Sequence, residues 1–208
     1  MPDVEHSGFT ATELEQLLAL RPGPSAAAMA TLLLIATDDD SALTGVASLL
    51  HRGSARVTPS GDVELVGSAD QIACILTSAD RWTVFGASDA TGNSFLVESP
   101  AGKLIAEPRG HGTWWFVLLH PTAAAAQIVT QTAIGLARHT DPASVLVRTA
   151  DTTQSRSFNI GRTGETFSFA AGEGDASQPE IAVAYTSDDE VAEHLSEFIT
   201  GWPRPLAQ

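Results

Sequence analysis

The stretch that decides the fold is residues 81–119, RWTVFGASDATGNSFLVESPAGKLIAEPRGHGTWWFVLL. Four strand-like runs, 81–87, 93–99, 103–107 and 113–119, are separated by Asp89-Ala-Thr-Gly92, Pro100-Ala-Gly102 and Gly110-His-Gly112. Gly, Pro and Asp accept the backbone angles that a chain reversal needs. Links this short force antiparallel neighbours, since a parallel pair needs a crossover of about a dozen residues or more. The spacing predicts an antiparallel meander. A helix over about 122–138 follows, with Ile128, Gln131 or Thr132, and Leu136 on its apolar face.

The same order recurs downstream. Runs 144–150, 155–161, 165–170 and 180–185 read as strands, and Ser187-Asp-Asp-Glu190 opens a helix as a capping box. Val191, Leu195, Phe198 and Ile199 form its apolar face, and Gly201 ends it. The expected class is α+β, with antiparallel sheets built from a ββββα unit used twice, each sheet carrying its helix on one face. Side-chain identity between the two units is slight, so the repeat is one of topology.

Upstream, residues 10–79 read as a mainly helical region that caps or docks on the first unit. Thr10 is an N-cap with Glu13 as capping-box partner, and Phe9 staples against Leu14. That helix runs to about Leu20 and stops at Pro22. Residues 25–36 fit either a helix or a buried strand, and helix is preferred. Asp38-Asp-Asp-Ser41 offers capping oxygens to a helix whose inward face is Leu43, Val46, Ala47 and Leu50, with Gly53 as the left-handed stop. A hairpin over 56–65 turns at Pro59-Ser60-Gly61, and Ser68 with Gln71 opens a helix with Ile72, Ile75 and Leu76 inward. The 208 residues are expected to form a single domain, 1–208, with halves at 1–140 and 141–208.

A net charge of −14, with eleven Lys and Arg scattered along the chain, argues against a nucleic-acid partner. Duplex binding draws its affinity from clustered cations that displace counterions. Cys74 is the only cysteine, which excludes an intrachain disulfide and a cysteine metal cluster. The longest apolar stretch, Ala26 to Ala36, is far below the roughly twenty residues a bilayer span needs. Met1-Pro-Asp-Val-Glu-His6 lacks the basic and apolar regions of a signal peptide, so no membrane role and a cytoplasmic location are expected.

The search for chemistry returns little. The chain has no Gly-x-Ser-x-Gly elbow, P-loop or His-Glu-x-x-His. Gly172-Glu-Gly174-Asp-Ala-Ser177 breaks the dinucleotide fingerprint at its last position and reads as an exposed hairpin loop. No two of the histidines lie at i,i+3 or i,i+4. His111 and His120 stand at opposite ends of about 23 Å of extended chain. Asp38-Asp39-Asp40 fits a helix start better than a Mg²⁺ site, and Cys74 beside Ile75 fits a small buried hydrophobe better than a nucleophile. No catalytic residue, metal or cofactor is expected.

The remaining candidate is Trp114-Trp115-Phe116-Val-Leu-Leu119. Adjacent strand residues point to opposite faces, so Trp114 and Trp115 cannot share one. An unbroken apolar run implies that both faces are covered. The alternative leaves one indole, Trp114 or Trp115, for a protein partner or a second copy of the chain.

The element order resembles a known family. A capping-box helix from Phe9 to Leu20, a helix ending Leu49-Leu50-His-Arg-Gly53, a short hairpin, a helix over 68–79, then strands and a long helix resemble the actinobacterial type VII (ESX) secretion-associated chaperones that bind PE/PPE substrates. The resemblance implies a quasi-twofold α/β sandwich and a cytoplasmic, non-enzymatic chaperone or adaptor. Against that family the chain reads as short. A second reading is a small-molecule-binding or enzymatic α+β domain with a site assembled from distant residues, which a concave cavity with converging His, Asp or Arg would favour. A third, a winged-helix regulator built from helix 41–52 and hairpin 54–66, lacks the basic face that DNA demands.

Overall fold

The computed structural model describes residues 6–35, 42–87, 93–139, 141–173, 183–185 and 187–201. In chain order the elements are β1 (His6–Thr10), α1 (Ala11–Leu20), α2 (Ala26–Leu32), α3 (Ala42–His51), β2 (Ala55–Val57), β3 (Val63–Leu65) and α4 (Ser68–Thr77). Four strands follow, β4 (Arg81–Ala87), β5 (Ser94–Ser99), β6 (Gly102–Arg109) and β7 (Thr113–Leu118), and then α5 (Ala125–His139). The pattern repeats as β8 (Ala143–Ala150), β9 (Ser155–Thr163), β10 (Thr166–Glu173), β11 (Val183–Tyr185) and α6 (Asp188–Thr200). The four-strands-then-helix order read from residues 81–200 is therefore present twice.

The fold is α+β with a large antiparallel sheet, ordered β1-β7-β6-β5-β4-β8-β9-β10-β11, and a separate β2-β3 hairpin. Every pairing whose register is described is antiparallel. β4 pairs with β8 in the register Trp82↔Ala150 to Ala87↔Val145, and buried Thr83 and Thr149 join their hydroxyls at 3.0 Å. β1 was not foreseen: His6-Ser-Gly-Phe-Thr10 has no apolar alternation, and it forms a strand because β7 offers it an edge.

The chain divides into two compact units, residues 1–80 with 97–120, and residues 81–96 with 121–208. In the first, α1 begins as expected. Thr10 accepts from the Glu13 amide, and the Glu13 carboxylate accepts from the Thr10 amide, a complete capping box. Leu14 and Leu17 on α1 and Ile72, Ile75 and Leu76 on α4 are fully buried, as are Phe116 and Leu104 on the sheet. α2 is a helix over seven residues of the ambiguous stretch. α4 has Gly67 as its N-cap rather than a Ser68–Gln71 box, and Gly67 adopts the positive φ of 62° that favours glycine. The Ser68 hydroxyl instead bonds that of Ser7 at 3.0 Å.

The inward face of α3 differs from expectation. Leu43 is 84% exposed, while Gly45 and Leu49 are buried. The cause is close approach to α1: a Cβ on Gly45 would lie 2.4 Å from the Thr12 carbonyl oxygen. The Asp38–Ser41 start lies outside the described residues.

In the second unit α5 packs on β4, β8 and β9, and α6 packs on α5 and β11. The stripe of α5 that faces inward is Ala125, Val129, Ala133 and Ala137, not Ile128 and Leu136. Small side chains let the helix sit close to the sheet. The helix also begins at Ala125 rather than near Thr122. On α6, Ser187 accepts from the Glu190 amide at 3.3 Å, and Val191, Leu195 and Ile199 are buried as expected. Phe198 meets Phe158 edge to face, with centroids 4.6 Å apart.

Candidate protein-binding surface

β7 alternates as a strand should. Trp114 and Phe116 point into the first unit's core, where Phe116 lies 6.0 Å from the ring of Phe9. Trp115 points the other way and is 41% exposed, against 8% for Trp114. The unbroken apolar run therefore did not mean two covered faces. β7 is also not an edge strand, because β1 pairs along it from His6↔Val117 to Thr10↔Thr113.

Three cross-strand rows build the open face. Gly8, Trp115 and Glu107 form the middle row, with Thr10, Thr113 and Arg109 on one side and Val117 and Ile105 on the other. The indole is held from two directions. A Cβ on Gly8 would lie 3.3 Å from Trp115 Cδ1 and Nε1, so glycine there gives the ring room over β1. The Arg109 guanidinium carbon lies 4.5 Å from the ring centroid, within cation–π range. Arg109 Nη2 in turn donates to Glu107 Oε2 at 2.7 Å, which fixes the guanidinium in place.

Beside this face the chain carries a buried carboxylate. Glu13, 1% exposed, accepts from Ser48 Oγ at 2.6 Å, from the Thr10 amide at 2.8 Å and from Arg52 Nη1 at 2.9 Å. Burial alone would raise its pKa. The hydrogen bonds from Ser48, Thr10 and Arg52, with the charge of Arg52, outweigh burial and hold the pKa below the usual carboxylate value. Arg52 also donates from Nη2 to the Gly8 carbonyl at 2.9 Å and lies 5.5 Å from the Phe9 ring centroid.

Of the two tryptophans singled out in the sequence, the structure puts Trp115 on an open face and Trp114 in the core. Arg109, Glu107 and Gly8 were missed. Only the strand register reveals them, because they reach Trp115 from two neighbouring strands. Among the described residues no group of three His, Cys, Asp or Glu could hold a metal ion. Among the described residues no helix is long and apolar enough to cross a membrane. Gly172 pairs with Ser157 inside the β9–β10 ladder, and the rest of the glycine motif after Glu173 lies outside the described residues.

No family model matches the sequence, and no curated protein matches it. Solved structures do match. One is the Mycobacterium tuberculosis type VII secretion system chaperone EspG5 in complex with the PE25-PPE41 dimer, with a TM-score of 0.60 at 11% sequence identity. The match covers 96% of this chain and 97% of that one. At such identity the likeness is one of fold.

Proposed function

We propose that this chain is a protein-binding factor without enzymatic activity, a chaperone or adaptor of the type VII secretion kind, whose partner docks on the Trp115 face. The observation that carries the reading is the half-open indole of Trp115, seated over Gly8 and against Arg109. Tryptophan is a preferred anchor at protein interfaces, where a few buried aromatic and Arg side chains supply most of the binding energy. An indole held in place before the partner arrives loses little side-chain freedom on binding. The fold supports the same reading, because its neighbour was solved with a protein dimer bound. Trp114 lies on the opposite side of β7 and backs the site from the core.

The test is co-expression with PE/PPE-type pairs from the same host, followed by size-exclusion chromatography and calorimetry. Trp115→Ala should weaken the complex by about tenfold or more, the range of an interface hot spot, with the melting temperature unchanged. Trp114→Ala should instead lower stability by about 3–5 kcal/mol, the cost of emptying a core aromatic site. An unchanged affinity for Trp115→Ala would retire the face, and failure of every such pair to co-elute would retire the secretion reading. A dimer of the free chain that Trp115→Ala splits would assign the face to a second copy.

A further inference from the structure

A solvent-open groove of about 650 Å³ lies between α5 and α6, within the second unit. That volume is inside the roughly 300–1,000 Å³ range of small-molecule sites. Ile134, Gly135 and Ala192 supply apolar wall, and Thr130 lies along it. At one end Arg138, in the last turn of α5, pairs with Asp188, in the first turn of α6. Asp189 also lines the groove, so two carboxylates stand against one guanidinium.

Two details point to an occupant. Thr130 is nine-tenths buried, and its hydroxyl has no hydrogen-bond partner. Three other helical threonines turn back onto the carbonyl four residues earlier: Thr31 to Ala27 at 3.1 Å, Thr77 to Ala73 at 2.9 Å, Thr200 to Ser196 at 2.7 Å. Thr130 leaves that option unused, although a buried hydroxyl without a partner is destabilising. The oxygen itself is sealed from solvent, and a change of χ1 well, a turn of about 120°, would bring it round toward the groove. The second detail is Gly135, well inside a fifteen-residue helix. A Cβ there would meet nothing within 4 Å, so no packing contact requires glycine. Its effect is to leave the groove wider at a site where alanine would favour the helix.

We infer that the α5–α6 groove binds a small amphipathic molecule with a hydrogen-bonding head and no negative charge. The apolar wall takes the body of the molecule, the Thr130 hydroxyl takes the head once turned into the groove, and the surplus carboxylate repels anions. This site is independent of the Trp115 face, which belongs to the other unit. The probes are 1-hexanol, hexylamine and hexanoate, which share a chain and differ in head charge. Each is titrated into the full-length protein and followed by amide chemical shifts.

Hexanol or hexylamine should shift amides of α5 and α6, and hexanoate should bind far more weakly. Thr130→Val, nearly isosteric, should weaken binding by about threefold to tenfold, the worth of one net hydrogen bond. Gly135→Leu combined with Ala192→Leu should abolish the shifts while the rest of the spectrum stays folded. Shifts confined to other elements, equal binding of hexanoate, or indifference to Thr130→Val would overturn the inference. So would a filled groove that loses a protein partner when no probe binds to the wild type, which would assign the groove to a partner helix.

Discussion

At the scale of single residues, Glu13 shows how much a local motif can hide. Its role as capping-box partner of Thr10 was legible, because both residues lie within one turn. Its bonds to Ser48 and Arg52, 35 and 39 residues away, were not, since nothing local to α1 announces them. A carboxylate whose folded pKa is lowered stabilises the fold above its unfolded pKa, and that contribution is lost as pH falls through the folded value. Glu13→Gln should therefore cost about 2 kcal/mol at neutral pH, a figure reduced from that of a fully buried pair because Arg52 is partly exposed. It should also flatten the loss of stability below about pH 4. Urea unfolding between pH 3 and 7 measures both, and an acid limb unchanged from the wild type would remove Glu13 from this account.

At the scale of elements, helices were located far better than their faces. Leu43, Val46, Ala47 and Leu50 looked like the inward side of α3, yet the helix turns Gly45 and Leu49 inward. In α5 the alanines, not Ile128 and Leu136, meet the sheet. Apolar periodicity ranks residues by greasiness, whereas close packing selects the side with the least bulk. β1 escaped notice for a related reason, since its strand character comes from pairing with β7 rather than from its own composition. Two glycines separate the causes. Gly45→Ala should destabilise by about 1–3 kcal/mol despite better helix propensity, because its methyl collides with the α1 backbone. Gly135→Ala, with nothing nearby, should stabilise by about 1 kcal/mol. Thermal melts of the two variants should move in opposite directions, and a shared rise would show that propensity alone governs both.

At the scale of the whole molecule, the α+β class and the doubled strand-strand-strand-strand-helix order followed from turn spacing, which short links make nearly unambiguous. That one indole of the Trp114–Trp115 pair would be open was expected from strand alternation; which of the two was not, because exposure depends on what a sheet face lacks. Net charge is −14 at pH 7 and vanishes near the sequence pI of about 4.6. Repulsion between molecules disappears there, while hydrogen bonds hold the pKa values of Glu13 and Asp151 below the usual carboxylate range. Light scattering should peak near that pH with circular dichroism unchanged; unfolding that precedes scattering would overturn this order of events. One margin of the large sheet is β1, five residues long. A bare edge recruits foreign strands and seeds fibrils. Arg52 occupies the Gly8 carbonyl on β1, so a strand annealing at that carbonyl must first evict a guanidinium tethered to Glu13. The same arginine that ties α3 to α1 thus closes a backbone acceptor of β1 to strand addition, and leaves side chains rather than that carbonyl as what this margin of the sheet presents.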